Sequence, residues 1–317
     1  MFHLRLVPDN TRIGFMKGRY AGIIISILLS VASVFLYFYP GLNYGIDFAG
    51  GIVIEARTPQ AANFPELRHK LGALNLGPVA LQEFGSPQDV LIRLERQAGD
   101  DSAQQKAADL VRATLAKEVP GTVVRRVEAV GASVSGELFY NGMLALGLAM
   151  AAMLVYIWFR FEWQFGLGAV VTLLLDVTKT IGFYVVTDIQ FNLVSIAAIL
   201  TIMGYSINDK VVVYDRMREN LRIYKKMPLR ELIDLSINET LNRTLGTSLS
   251  TLLSILPLAI FGGEALQDFG IVLIFGIFLA TSSSIFIAAP ILLFLGENRL
   301  RRGQPDAAQP AATTTAP

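Results

Sequence analysis

Asp176, Lys179, Asp209 and Arg243 are ionisable residues that sit inside, or at the entrance to, long apolar runs of this 317-residue chain. On insertion scales a charge near the centre of a spanning helix costs roughly 2.5–3.5 kcal/mol, so such a residue faces a partner or a water-filled cavity and marks a path for ions or protons. Thr172, Asp176, Lys179 and Thr180 follow i, i+4, i+7, i+8 spacing and share one helix face. Thr201, Tyr205, Asn208 and Asp209 repeat that spacing, and Arg243, Thr247, Ser250, Thr251 and Ser254 make a third polar stripe. Three such faces in one helical unit are expected to meet inside it. Asp209 lies about seven residues past the middle of its apolar run, roughly 10 Å towards the end from which Arg243 enters. Moving an arginine relative to a buried carboxylate changes that carboxylate's proton affinity. Asp209 and Arg243 are therefore the expected proton-coupling pair, with Asp176, Lys179, Asn208 and Thr247 as a supporting polar network.

Blander readings stand beside this one. Arg243 at a span's entrance also fits a side chain that snorkels to the interface. Asp176 and Lys179 also fit a self-neutralised structural pair one helical turn apart. Asp209 is harder to explain structurally, because Asn208 and Asp209 together interrupt an apolar helix. Gly142, Gly147, Gly166, Gly168, Gly204 and Gly276 read as helix-packing positions rather than ligand sites.

Other chemistries are poorly supplied. The chain has no cysteine and only two histidines, His3 and His69, without metal-ligand spacing, so a metalloenzyme or a thiolate nucleophile is not expected. The formal net charge of +1 gives no basic field for nucleic acid. Gly50-Gly51 is followed by no phosphate-binding loop. No catalytic set is present, no enzyme is expected, and protons are the only coupling species implied.

The elements that must position these residues follow from hydropathy. With 53% hydrophobic and 17% charged residues, the chain carries more apolar surface than one water-soluble core can bury, and that surface belongs in lipid. Spans are predicted near Ala21–Tyr39, Phe139–Phe159, Phe165–Val186, Phe191–Tyr214, Thr244–Phe261 and Phe269–Leu295. The first run ends in bulky aromatics up to Pro40, where signal-peptide cleavage needs small residues, so it reads as an uncleaved anchor. Arg5, Arg12, Lys17 and Arg19, the cluster from Arg216 through Arg218, Arg222, Lys225 and Lys226 to Arg230, and Arg299, Arg301 and Arg302 predict cytoplasmic segments. The loops around Asp188 and over 262–268 hold no Lys or Arg. Both termini are then inside and the segment over 40–137 is outside, in the periplasm of a double-membrane bacterium. Within it, strands at Gly51–Arg57, Val79–Phe84, Val90–Glu95 and Thr122–Val130 and helices at Pro65–Leu76 and Ser102–Glu118 give the order β-α-β-β-α-β of a ferredoxin-like fold. The expected organisation is a cytoplasmic segment 1–20, a first span 21–39, a periplasmic domain 40–137, five further spans over 138–296 with a cytoplasmic connection 215–243, and a disordered tail 297–317, rich in Ala, Thr, Gln and Pro.

Specific strings then narrow the reading. The run from Gly41 to Gly51 (GLNYGIDFAGG), that from Gly204 to Arg216 (GYSINDKVVVYDR), that from Asn238 to Thr244 (NETLNRT) and that from Ser284 to Pro290 (SIFIAAP) together resemble the SecD/SecF family of protein-export subunits. The single outer domain of modest size resembles the SecF branch. The resemblance implies an RND-like six-helix bundle in the bacterial inner membrane. It implies pairing with SecD, work beside the SecYEG channel on translocating preproteins, contact with YajC and YidC, and use of the proton-motive force. It also maps proton coupling onto Asp209 and Arg243. Three positions depart from the family pattern: Leu175 stands where a His is common, Lys210 where a small Thr is usual, and Ala132 where a Pro is usual. Lys179 and Lys210 would change the electrostatics of the relay. Two other functions remain open: an RND-type exporter of small molecules, for which one outer domain of about a hundred residues is small, and a passive membrane scaffold, which needs no titrating group.

Overall fold

The computed structural model describes residues 7–8, 11–99 and 101–295. The expected disordered tail, His3, Arg5, Arg299, Arg301 and Arg302 lie outside the described residues. The described chain forms two compact units.

The chain enters through a short 3-10 turn (Phe15–Lys17) into α1 (Arg19–Phe38), whose buried residues are Ser26, Ser30 and Ser33. This small-residue row lets α1 lie against a later span, and the remaining large apolar side chains are left for lipid. After α1 the chain leaves this helical unit for the smaller one. A single turn, α2 (Ile46–Ala49), leads through Gly50 and Gly51 into β1 (Gly51–Arg57). Both glycines have positive φ, +73° and +123°, and a Cβ on Gly51 would stand 2.6 Å from the Leu94 carbonyl oxygen. The Gly-Gly pair is thus a backbone requirement for entering the sheet, which accounts for it without a bound phosphate.

Next come α3 (Phe64–Gly72), β2 (Val79–Phe84), β3 (Ser86–Leu94), α4 (Asp101–Glu118) and β4 (Val123–Val130). The sheet is antiparallel in the order β2-β3-β1-β4, with Ile54 opposite Ile92 and Val127. This is the ferredoxin-like arrangement expected from the alternation of short strands and amphipathic helices. Alternate residues Ile52, Ile54, Ala56, Val90, Ile92 and Leu94 meet Leu67 and Leu71 of α3 and Ala107, Ala108, Val111 and Leu115 of α4 in one core. Asn63 caps α3, its side-chain oxygen accepting from the Glu66 N–H.

Across the top of the sheet, Arg57 donates to Asp89 twice, at 2.9 and 2.8 Å, Ser86 donates to the same carboxylate at 2.8 Å, and Arg125 lies 3.3 Å away. The Arg57 guanidinium, then Ser86 and Arg125, hold the Asp89 carboxyl below the usual carboxylate range. A depressed folded pKa contributes stability above the unfolded value, and that contribution disappears as pH falls through the folded one. The wild-type sheet should therefore lose amide-exchange protection on acidification below about pH 4. Asp89→Asn should be less protected at neutral pH and should show a flatter acid profile. Identical profiles for the two proteins would remove Asp89 as the acid-sensitive tie.

Beyond β4 the chain forms α5 (Ala132–Arg160), α6 (Trp163–Thr187), α7 (Leu193–Ile223), α8 (Leu229–Phe261) and α9 (Glu264–Ser283). A π-helical turn (Ser284–Ala288) and α10 (Ala289–Leu295) continue the last run. With α1, six helical segments among the described residues are long and apolar enough to cross a membrane. The π turn precedes Pro290, which lacks the N–H needed to continue a regular ladder, and Tyr214 of α7 donates to the Ala288 carbonyl at 3.2 Å. The row on α1 packs on α6 where Gly182 stands: a Cβ there would collide with Ser33.

Much of the range 215–243, which hydropathy alone assigns to a connection, continues α7 and α8 as a helical hairpin turning over residues 224–228. Its apolar side is buried through Met217, Leu221, Leu229, Leu232, Ile233 and Ile237. Its polar side is paired, with Arg216 on Glu239 at 2.8 Å and Asn220 on Glu239 at 2.7 Å. The amino-terminal segment ties to the same hairpin: the Met16 N–H donates to Asp234 at 2.8 Å and the Ile13 N–H to Asn238 at 3.0 Å.

In the smaller unit, the loop before β1 grips the start of α7. Gly45 N–H donates to the Phe191 carbonyl at 2.9 Å, and Asp47 accepts from the Leu193 N–H at 3.0 Å. A carboxylate on the first N–H of a helix is favoured by the helix dipole. Phe48 packs on Phe139 and Phe191, and Tyr44 on the same two rings.

Candidate functional site

The buried polar residues of α6 and α7 form two separate constellations. Asp176 is 1% exposed and accepts from Ser206 at 2.8 Å, Ser283 at 2.7 Å, Lys210 at 3.1 Å and Lys179 at 3.3 Å. Ser206, Ser283 and Lys210 converge on Oδ2, and Lys179 takes Oδ1. Lys179 also donates to Ser26 of α1 at 3.0 Å, and Lys210 also bonds the Ser206 hydroxyl and lies 3.4 Å from Ser283. The cluster ties α1, α6, α7 and α9 together. It holds one carboxylate and two amines.

Asp209 is equally buried but points elsewhere. Successive residues on a helix diverge by about 100°, so while Lys210 turns to Asp176, Asp209 turns to the hydroxyl of Thr281, 3.4 Å away on α9. Thr281 is hydrogen-bonded to Ser248 of α8 at 2.8 Å, and Tyr205 of α7 donates to Ser248 at 2.9 Å. Two neighbours in sequence thus serve two networks.

The other expected site residues are placed as follows. Asn208 and Thr201 are exposed on α7. Thr172 and Thr180 are buried and give their hydroxyls to the carbonyls of Gly168 and Asp176. Thr247 is half-buried and donates to the Thr244 carbonyl at 2.9 Å. Arg243 is exposed, and among the described residues no ion pair joins it to Asp209. The third stripe therefore does not converge on the other two. Thr240, Thr244 and Ser248 form the buried row of α8, and the Arg243 row lies one residue round.

Sequence reasoning missed Ser206, Ser248, Thr281 and Ser283, and treated Lys210 only as a departure from pattern. Ser206 and Lys210 stand four residues apart, on the face of α7 that buries Met203 and Val213. That spacing was the available signal for a second polar face on this helix.

The model for the C-terminal region of protein export membrane protein SecD/SecF matches residues 111–298, and that for the SecD/SecF GG motif matches residues 40–62. Protein translocase subunit SecF of Rickettsia bellii is 45% identical over 303 residues, covering 95% of this chain and 99% of that one. This chain belongs to the SecD/SecF family. The Rickettsia prowazekii SecF is 43% identical over 303 residues, covering 95% of this chain and 97% of its own. The crystal structure of SecDF from Thermus thermophilus superposes with a TM-score of 0.81 at 32% identity, covering 92% of this chain and 39% of that one. SecDF in its super-membrane-facing form gives 0.69 at 32% identity. The chain spans about two fifths of those SecDF chains. The SecD/SecF GG motif coincides with the Gly50-Gly51 entry to β1, so the backbone restriction found there explains why that motif has two glycines. As a SecD/SecF member with six membrane-capable helices, the chain is a multi-pass inner-membrane protein.

Proposed function

We propose that this chain is a SecF-type accessory subunit of a bacterial protein translocase, not a catalytic enzyme, which works with a SecD subunit beside the SecYEG channel and couples preprotein export to the proton-motive force. The observation that carries the mechanism is the burial of Asp209 on α7 with a hydroxyl as its hydrogen-bond partner, while the adjacent lysine is engaged by Asp176. A carboxylate so placed is free to take up and release a proton without dismantling an ion pair. One charge crossing 100 mV supplies about 2.3 kcal/mol, enough to shift helix packing. Arg243, exposed on α8, is the cation whose approach would modulate that site when the SecD subunit is in place. Protons are the coupling species in this reading, and YajC and YidC are further partners.

The same reading puts both termini in the cytoplasm and the α+β domain in the periplasm. The Lys- and Arg-rich hairpin around residues 224–228 supports it, as do the bonds of Met16 and Ile13 to that hairpin, which tie the amino-terminal segment to it.

Inverted vesicles containing the chain, its SecD subunit and the SecYEG channel test the function directly. Asp209→Asn should reduce potential-stimulated preprotein export to the level seen with a protonophore, with the complex still assembled. Export by Asp209→Asn at the wild-type rate would refute proton coupling at this residue.

A further inference from the structure

Most hydroxyls in the membrane helices donate back to a carbonyl one turn earlier on their own helix: Thr178 to Leu174, Thr201 to Ala197, Thr251 to Thr247 and Ser254 to Ser250 are examples. This is the usual way for Ser and Thr to be satisfied in a helix in lipid. Ser248 and Thr281 do otherwise. Each reaches to a different helix, and with Tyr205 they form an unbranched chain of hydroxyls across α7, α8 and α9 that ends on Asp209.

One donor polarity satisfies all three bonds when Asp209 is a carboxylate. Tyr205 donates to Ser248 and Thr281 donates to Asp209, which leaves the Ser248 proton for Thr281. Each hydroxyl has one proton to give and lone pairs to accept with, so every proton in the row points towards the carboxylate. Tyr205 lies one turn nearer the Leu193 end of α7 than Asp209 and is half-exposed, whereas Ser248 is buried.

We propose that Tyr205, Ser248 and Thr281 form a proton wire that loads Asp209. The inference rests on the reading of Asp209 as the proton-coupling carboxylate. In one transfer the Asp209 carboxylate takes the Thr281 proton, Thr281 takes that of Ser248, and Ser248 takes that of Tyr205. Water is the donor in this proposal that reprotonates the Tyr205 phenolate, a side chain left half-exposed by this chain. The net result is one proton moved from water to Asp209: three O–H bonds of the protein and one of water are broken, four O–H bonds form in the protein, and hydroxide is left in the solvent. The hydroxyls must then rotate back before a second transfer. The link from Thr281 to Asp209, at 3.4 Å, is longer than the usual 2.7–2.8 Å of an O–H···O bond. A small shift of α9 against α7 opens or closes it. About 100° round α7, Lys210 is paired with Asp176, as is Lys179, and among the described residues neither amine is hydrogen-bonded to the hydroxyl row.

The test is proton uptake, followed by an internal pH dye, and export in proteoliposomes of the full chain with its SecD subunit and the SecYEG channel. Thr281→Val keeps the side-chain shape and removes the hydroxyl, leaving no room for a replacement water. It should slow both readouts roughly a hundredfold, and Thr281→Ser should restore them. Uptake by the wild type should be slower in D2O than in H2O. Thr281→Val at the wild-type rate, with Asp209→Asn inactive, would overturn the wire and leave Asp209 as the coupling residue. Asp209→Asn at the wild-type rate would overturn both. If Thr281→Val fails to assemble, Tyr205→Phe decides the matter: the ring is kept, and unchanged uptake refutes the wire.

Discussion

Asp176→Ala should destabilise the membrane bundle by about 3–5 kcal/mol, the cost of removing one member of a buried ion pair and leaving its partner uncompensated. Two amines, Lys179 and Lys210, would lose their shared acceptor at once, and Ser206 and Ser283 would lose theirs. Lys210→Thr should behave oppositely. It leaves Asp176 and Lys179 as a one-to-one pair with both serines still donating, so its cost should be confined to the space left by a fully buried side chain, about 1–2 kcal/mol. Thermal unfolding of the purified chain in detergent, followed by loss of the monomer peak, compares the two. Equal effects would show that the cluster is not organised around the single carboxylate. A large loss for Asp176→Ala together with a small one for Lys210→Thr would identify Lys210 as an added charge that the site tolerates because it shares Oδ2 with Ser206 and Ser283.

That contrast also bears on what each carboxylate can do. Asp176 is held by four donors on three helices, and protonating it would release two amines into a dry interior. Among the described residues Asp209 has one side-chain hydrogen-bond partner, the distant hydroxyl of Thr281. The first has the character of a joint and the second of a site, although both are aspartates buried to the same extent in adjacent helices. Sequence spacing placed them on polar faces alike, because it registers which residues share a face and not which helix that face meets.

The same limit explains the rest of the comparison between sequence and structure. The element order of the α+β domain was legible, because Ile52, Ile54 and Ala56 alternate with Val53, Glu55 and Arg57 and the period of two permits one core face only, whereas β3 starts at Ser86 rather than Val90 and α3 ends at Gly72 rather than Leu76. The spans were legible from apolar length, but their ends were not. Asp215, Arg216 and Glu239 look like the limits of α7 and α8, whereas Met217, Leu221, Leu232 and Ile233 keep the apolar period running into the hairpin. At the site, Asp176 with Lys179 was readable, since residues three apart on one helix must be neighbours. Ser206, Ser248, Thr281 and Ser283 were not, since a hydroxyl in a membrane helix usually bonds to its own backbone and only packing across helices shows which ones do not.

The placement of Arg243 leads to the second large effect, which falls on function rather than stability. Arg243→Ala in the isolated chain should change stability by no more than about 0.5 kcal/mol, because the side chain is exposed and has no ion pair among the described residues. In the assembled translocase the same substitution should abolish potential-stimulated export, as Asp209→Asn does. The argument is one of solvation. Arg243, Ser250 and Ser254 are exposed along one side of α8, with Thr247 and Thr251 half-buried beside them. The three small hydroxyls Ser250, Ser254 and Thr251 are satisfied by their own backbone and could face lipid. An arginine on that row would cost roughly 2.5–3.5 kcal/mol at depth unless another chain or water covers it. The SecDF relatives are single chains of which this one spans 39% and 41%, so in them more than half of the polypeptide is available to lie against such a surface. In this reading a SecD subunit supplies that cover, and the distance between Arg243 and Asp209 is set by the assembled pair rather than by this chain alone. Export measured with Arg243→Ala and Arg243→Lys separates the possibilities. Loss with Ala and retention with Lys fits a cation that acts on Asp209 across the assembly, whereas full activity with both would leave Arg243 as an interfacial anchor and return the chain to a scaffold.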